Sequence, residues 1–427
     1  IVLGARFQAL ASNIFQIIAG LDYNLDFVLG IKNVKLADGY SIADTNVDVS
    51  FRKDRITVAG NSINGFFDLK TREIDFVVSR KLLFGFSLHG YVEKNLDLYV
   101  SELYFPLPVL NQFLNTPIFS IEEGIIEGDV LIRGPITEPT FYGMAYCQSF
   151  ALDLLYLPEQ TVNIKNCAFV FLDHSMYMTK TPFSCYSDLD GRYASGDVTV
   201  EMIMRGLGVH TFDVKTYVYK DSPIDLWFPS KLGATDIELR GDVTGLIDFK
   251  FDEGRAVLET DIVASKAMVD FKLDNPPIWW RKNESKGSID MNVTMTTGTN
   301  VEFFYPDKDN AFMNFTLAEG KRFNLKLADG VFSTDGGVAL KSGQIYYFHN
   351  DFIVSEGKLN MTQKKFNPNT SLPFVLDLTA TLIDYDANGN KVEINLILQN
   401  ATLDNISPRF TSTPTMSQTE ILEMLGQ

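Results

Sequence analysis

Apolar and polar residues alternate with period 2 along most of the chain. The clearest runs are residues 96–100, 247–251, 289–295, 313–317, 323–327 and 392–398. Successive side chains of a strand point to opposite faces of a sheet, so each run has one apolar and one polar face. The pattern predicts β-strands from one end of the chain to the other.

Turn residues separate these runs, and helical patterns are few. Gly, Asn and Asp at 59–61, 328–330, 335–337 and 387–390 predict turns. Residues 106–115 predict one short helix. Residues 417–426 predict another, because Ser417 and Glu420 have the spacing of a capping box and Gly426 suits a helix C-terminus.

A loose internal repeat supports a repetitive all-β architecture. Glycine-punctuated stretches at 128–134, 239–249 and 337–347 resemble one another at a spacing of about 100 residues. So few helices cannot cover so many strands. A two-sheet sandwich, a closed barrel and a curled trough therefore all remain open. Some 20–30 strands at ~4.8 Å each would make one sheet roughly 100–140 Å long.

Charge and composition exclude several classes of function. The net charge of −17 disfavours nucleic acid and anionic lipid surfaces as partners, since both are bound through clustered Lys and Arg. The apolar first 20 residues are interrupted by Arg6, Gln8, Asn13 and Gln16, so we do not expect them to cross a bilayer as a helix.

No motif for catalysis or for metal binding stands out. The 4 histidines are far apart, and HExxH, GxSxG and P-loop patterns are missing from the sequence. Residues 384–389 begin like a calcium loop, but Asn395 stands where that loop needs Glu, so we interpret them as a turn. We expect no enzyme, no metal and no cofactor. The 3 cysteines leave one disulfide with a free thiol, or three buried thiols, equally open.

The last ninety residues carry the most specific pattern. A glycine-rich strand pair is followed by a strand matched only in outline, and then by a Pro-Ser-Glu helix start. The residues that fit are Gly337, Val338, Leu340, Gly343, Ile345, Tyr347, Phe352, Val354, Gly357 and Leu359, then Pro373, Val375, Asp377 and Thr379, then Phe410, Ser412, Pro414, Met416, Ser417, Glu420, Ile421 and Leu422. In this order they resemble the C-terminal end of the TamB family, the translocation and assembly module proteins.

The resemblance implies a fold and a function. The fold would be a β-taco, a long U-shaped sheet with an apolar inner groove, here as a repetitive AsmA-like segment (1–330) and a C-terminal segment (331–427). The function would be that of a bridge-like protein that conducts phospholipid between the inner and outer membranes. It would span the periplasm from an inner-membrane helix that we expect to precede this chain. Its C-terminus would dock on an Omp85-type partner (TamA or BamA-like) and would have a role in outer-membrane protein assembly.

Two groups of candidate residues follow. Those expected to line the groove are Leu96, Leu98, Val100, Val130, Ile132, Ile247, Phe249, Phe251, Met291, Val293, Met313, Phe315, Phe323, Leu325, Leu327, Val338, Leu340, Ile345, Tyr347, Phe374, Leu376, Leu378, Ile394, Leu396 and Leu398. Those expected to dock the partner are Phe410, Pro414, Met416, Ser417, Glu420, Ile421, Leu422 and Leu425.

Two other functional classes stay open on the sequence. A β scaffold could act as an assembly chaperone, binding unfolded outer-membrane strands by edge pairing. An outer-membrane β-barrel would need detergent and girdles of aromatic residues, whereas the aromatic residues here are dispersed.

Overall fold

A computed structural model describes most of the chain. It covers residues 24–35, 40–111, 119–157, 160–187, 191–206, 208–232, 235–252, 255–272, 289–328, 331–366, 374–402 and 405–426. The candidate residue Pro373 lies outside these ranges. The predicted all-β fold class is confirmed.

The strands grow longer from the N-terminus towards the middle of the chain. The first nine are β1 Leu25–Ile31, β2 Val34–Lys35, β3 Ser41–Ile42, β4 Thr45–Arg52, β5 Arg55–Gly60, β6 Ile63–Asp68, β7 Glu73–Val78, β8 Gly85–Val92 and β9 Asn95–Pro106. The next nine are β10 Phe119–Pro135, β11 Thr140–Leu154, β12 Gln160–Asp173, β13 Ser175–Ser187, β14 Tyr193–Arg205, β15 Gly208–Val218, β16 Ile224–Leu232, β17 Thr235–Asp252 and β18 Arg255–Lys272.

Ten strands and one α-helix complete the described chain. They are β19 Ile289–Thr297, β20 Glu302–Tyr305, β21 Met313–Leu317, β22 Arg322–Ala328, β23 Val331–Tyr347, β24 Asn350–Asn360, β25 Gln363–Phe366, β26 Val375–Tyr385, β27 Lys391–Thr402, β28 Arg409–Thr413 and the helix α1 Gln418–Met424. Each alternating run picked out in the sequence lies within one of these strands.

Twenty-six of the strands form a single sheet, and β2 and β3 form a separate pair. From β4 to β15 each strand pairs antiparallel with the next one in the chain, and β1 pairs with β4. The described pairings turn parallel only where β18 meets β19 and β20. At ~4.8 Å per strand the sheet runs on the order of 100 Å across its strands.

Two long strands, β17 and β23, each pair along one edge with two shorter strands that follow each other end to end. The first half of β17 pairs with β16 and its second half with β15. In the same way β23 pairs with β22 and then with β21. The three repeat-like stretches of the sequence fall in β10, β17 and β23, each of which has 17 or 18 residues.

The turn predicted at residues 335–337 is wrong, because β23 continues through it. Gly336 has φ +122, and a Cβ there would lie 2.8 Å from the carbonyl oxygen of Arg322 on β22. The glycine is needed for this backbone conformation and for the close approach of β22. The neighbour of β23 on its other side, β24, begins to pair at Gly337.

The two predicted helices have different outcomes. The C-terminal one is confirmed as α1, which begins after the N-cap Ser417 and has a complete capping box with Glu420. In the other, residues 107–110 form a short 3-10 helix, and residues 112–118 lie outside the described ranges.

Candidate functional site: the apolar face of the sheet

One side of the sheet is apolar along its whole length. Directly opposite residues on neighbouring strands point to the same side, so the pairing register follows one face from strand to strand. In the first half of the sheet the path runs through Phe27, Val49, Val58, Gly65, Phe76, Leu88, Val100, Val130, Gly143, Phe171, Met176, Met202, Phe212, Phe251 and Ala256.

The same face continues to the C-terminal end. One path there joins Tyr305, Met313, Ile345 and Phe352, and a second joins Val354, Ala380, Leu396 and Phe410. The register places every groove residue expected from the sequence on this face. For Phe374, which precedes β26, a ring contact with Phe303 gives the same placement. Whether the face binds lipid stays a prediction.

The opposite face is polar and carries ion pairs both within a strand and between neighbouring strands. Lys250 lies 3.1 Å from Asp248 and 2.6 Å from Glu259, and Lys180 lies 2.7 Å from Asp197. Exposed tyrosines are interspersed among the charges. The two faces therefore differ in chemistry as the alternation predicts.

The N-terminal segment, β1 to β9, leaves much of its apolar face uncovered. Among its described residues, Val47, Val49 and Ile56 form a small buried cluster, with half-buried neighbours such as Phe67. Further along, Phe76 and Leu88 are half-buried. Strand β1 is open to solvent on both faces, since Leu25 and Leu29 are each 51% exposed and Val28 is 64% exposed.

The C-terminal segment, β19 to β28 with α1, buries most of the same face, and Met291 and Val293 on β19 stay half-buried. Phe315, Leu376 and Leu396 are each 1% exposed, and Phe352 and Ile394 are 0% exposed. These residues belong to one cluster that reaches back to Leu107.

Ring contacts between strands that are not neighbours explain this burial. Phe303 on β20 lies 6.3 Å, between ring centroids, from Phe374, which precedes β26. Phe410 on β28 lies 5.8 Å from Tyr347 on β23 and 6.1 Å from Phe352 on β24. Several strands separate each pair within the sheet. The C-terminal segment therefore curls until its apolar face packs against itself.

Helix α1 covers the end of this closed segment. Ile421 is 0% and Leu425 3% exposed, and both pack in the same cluster. The Asn350 side chain donates a hydrogen bond to the carbonyl oxygen of Leu425 at 3.3 Å, and the Gln418 side chain donates one to the carbonyl oxygen of Phe410. These contacts fix both ends of the helix on the sheet.

The terminal motif therefore has a structural role at most of its positions. The Ser412 hydroxyl donates to the carbonyl oxygen of Pro414 at 2.9 Å and accepts from the backbone N–H of Met416 at 3.0 Å. The backbone N–H of Ser417 donates to the Glu420 carboxylate at 2.7 Å. That bond and a hydrogen bond from the Ser417 hydroxyl lower the pKa of the Glu420 carboxyl.

The residues expected to dock a partner are thus divided between core and surface. Phe410, Ile421 and Leu425 are buried, and Met416 and Leu422 are half-buried against the core. Pro414, Ser417 and Glu420 are exposed, and the last two form the capping box. Docking itself stays a prediction.

Sequence reasoning missed the beginning of the apolar face. The groove residues taken from the sequence start at Leu96, whereas the register extends the face back to β1. The signal was present in the alternation of Val47, Val49 and Phe51 with Asp48 and Ser50.

The described residues offer no sign of other common sites. None of their helices has the length and apolarity to cross a membrane. They also contain no group of three or more His, Cys, Asp or Glu side chains placed to bind a metal ion.

These features define the class: a long, mostly antiparallel sheet with one continuous apolar face that closes at its C-terminal end. Residues 241–427 match the family model of the TamB C-terminal domain. A search of curated proteins and a search of solved structures each found no match to the chain. This portion of the chain, residues 241–427, is a TamB C-terminal domain. That family is envelope-associated, non-enzymatic and acts in outer-membrane biogenesis.

Proposed function

We propose that the chain conducts phospholipids between the inner and outer membranes, with their acyl chains on the apolar face. The observation that carries the proposal is the continuity of that face from β1 to β28, opposite a charged face. An acyl chain gains roughly 0.8 kcal/mol for each CH₂ group that it buries. Apolar residues and glycines form the register path from strand to strand, so the gain is offered along the face and cargo can slide without a specific binding site.

Burial indicates which part of the face carries cargo. In the N-terminal segment, half-buried side chains such as Phe76 and Leu88 still present surface to a ligand. In the C-terminal segment, Phe315 and Phe352 are already packed, and a close-packed interior has no space for an added chain. Cargo therefore leaves the face before β28 unless the closed segment opens.

Photo-crosslinking in cells tests the proposal. A photoreactive amino acid replaces Leu88 or Phe249 on the apolar face, and the adjacent His89 or Lys250 on the polar face is the matched control. We expect crosslinked phospholipid, identified by mass spectrometry, at the first two positions and little at the controls. A third position, Phe315, should label weakly because it is buried. Equal labelling of Leu88 and His89 would overturn the proposal.

The proposal places an Omp85-type outer-membrane protein at the exposed side of α1, with the C-terminus towards the outer membrane. Its support is the family of the C-terminal portion together with the exposure of Pro414, Thr419 and Glu423. A photoreactive residue at Thr419 should crosslink to such a protein, whereas one at the buried Ile421 should not. Crosslinking from neither Thr419 nor Glu423 would argue against this docking surface.

A further inference from the structure

Two of the three cysteines lie directly opposite each other in the sheet. Cys147 on β11 is the register partner of Cys167 on β12, and both side chains point to the apolar face. They are 1% and 0% exposed. The third cysteine, Cys185 on β13, has Val162 as its register partner.

The spacing of such a pair suits a disulfide. Directly opposite residues of antiparallel strands have Cα atoms about 4.5–5.5 Å apart, and disulfides join Cα atoms that are about 4.4–6.8 Å apart. In the structure all three cysteines are thiols. The Cys147 thiol donates to the carbonyl oxygen of Ser149 at 3.2 Å, a contact that a change of side-chain rotamer would release.

We propose that Cys147 and Cys167 form a cross-strand disulfide in the mature protein and that Cys185 stays a thiol. Each of the two thiols loses one proton and one electron, and an S–S bond forms between the two sulfurs. The two electrons pass to the disulfide of a thiol–disulfide oxidoreductase or of oxidised glutathione, which becomes a dithiol or two thiols. The inference rests on the envelope location of the family, where disulfides persist.

The surroundings of the pair indicate when the bond forms. Burial, together with the nearby Cys147, raises the pKa of the Cys167 thiol to about 12. Burial also raises the pKa of Cys147 and brings that of Cys185 to about 11. Thiol–disulfide exchange needs a thiolate, and it needs an oxidant that can reach the sulfur. In the folded sheet the raised pKa values keep both cysteines as thiols, and burial keeps an oxidant away from them. We therefore expect the bond to form while the β11–β12 hairpin folds and to resist reductants once the sheet has closed.

Cys185 is not placed to form a disulfide with Cys147 or with Cys167. Its thiol lies 3.7 Å from the side-chain oxygen of Gln160, the first residue of β12, whereas Cys167 lies in the middle of that strand. The structure thus selects one of the three possible pairings, which composition alone left open.

Thiol mapping of the whole chain tests this assignment. The protein is exported in cells, quenched in acid, alkylated under denaturing conditions and digested for mass spectrometry. We expect one alkylated thiol per chain, at Cys185, and a peptide pair linked through Cys147 and Cys167. Three alkylated thiols, or a bond to Cys185, would overturn the proposal.

Cysteine variants and refolding in vitro test the same bond without relying on how the protein is oxidised in cells. Cys185→Ser should keep the bond, whereas Cys147→Ser should leave both remaining thiols open to alkylation. Reduced, unfolded chain should gain the bond when it refolds in a glutathione redox buffer. Reduced, folded chain in the same buffer should react far more slowly; equal rates would contradict the expected order of events. Lipid labelling at Leu88 does not depend on these cysteines, so failure here would leave the conduit proposal standing.

Discussion

The N-terminal and C-terminal segments carry the same alternating pattern and differ in what covers it. In β1 to β9 three aliphatic side chains form the buried cluster, and most of the remaining apolar face, apart from Leu98, is half-buried or exposed. In β19 to β28 the face meets itself through rings such as Phe303 and Phe374, and α1 covers the end. Alternation therefore shows which residues share a face, and curvature shows whether that face is free to bind.

Replacing one phenylalanine in each segment should give the largest difference. Phe315→Ala leaves a cavity in a packed core and should cost about 3–5 kcal/mol, whereas Phe76→Ala on the half-exposed face should cost roughly 1 kcal/mol. A long sheet need not unfold in one step, so amide hydrogen exchange of β20–β23 and of β6–β8 is the suitable measurement. Equal losses of protection in the two segments would show that the apolar face is packed equally tightly in both.

Uncovering the closed end should make it behave like the open one. Ile421→Ala removes a side chain that is 0% exposed beneath α1 and should destabilise the helix by about 2–4 kcal/mol. We expect the variant to bind a hydrophobic dye at the C-terminal end, and a photoreactive residue at Phe352 should begin to label lipid. Thr419→Ala on the exposed side of the same helix is the control, with an expected effect within about 0.5 kcal/mol. An Ile421→Ala protein that stays closed would show that α1 is not the cover.

The charged face between the two segments should give a smaller effect that depends on pH. Burial, together with the neighbouring Asp213, raises the pKa of the Asp248 carboxyl above its ordinary value of 3.8, although Lys250 opposes the shift. A raised pKa means that the folded state binds the proton more tightly. Asp248 therefore contributes stability at low pH, and this contribution is lost as the pH rises from 3.8 through the folded pKa.

Asp248→Asn should remove this dependence and leave the protein at least as stable at neutral pH. Hydrogen exchange of β15 to β18 between acidic and neutral pH is the measurement. Glu259→Gln is the matched control, since that carboxylate pairs with the same Lys250 but is 44% exposed. A loss of stability at neutral pH in Asp248→Asn larger than in the control would contradict the interpretation.

Local chemistry explains why some elements were predictable. Residues 247–251 alternate strictly and lie in β17, and residues 392–398, which lie in β27, alternate at every position except Ile397. Ser417 and Glu420 satisfy each other's backbone N–H groups across one turn, so the start of α1 depends on four neighbouring residues. The turn predicted at 335–337 failed because its glycines permit a turn and also permit the close approach of two strands, and only the neighbouring strand β22 decides between them.

The sequence by itself determined the strands, their two unlike faces and the capped terminal helix, because these depend on period 2 and on contacts within a few residues. Only the tertiary structure decided that Cys147 meets Cys167, that β18 pairs parallel with β19 and β20, and that Phe410 packs on Tyr347. Each of these depends on the register between strands and on the curl of the sheet. Both are set by packing between residues far apart in the chain, which a local pattern does not record.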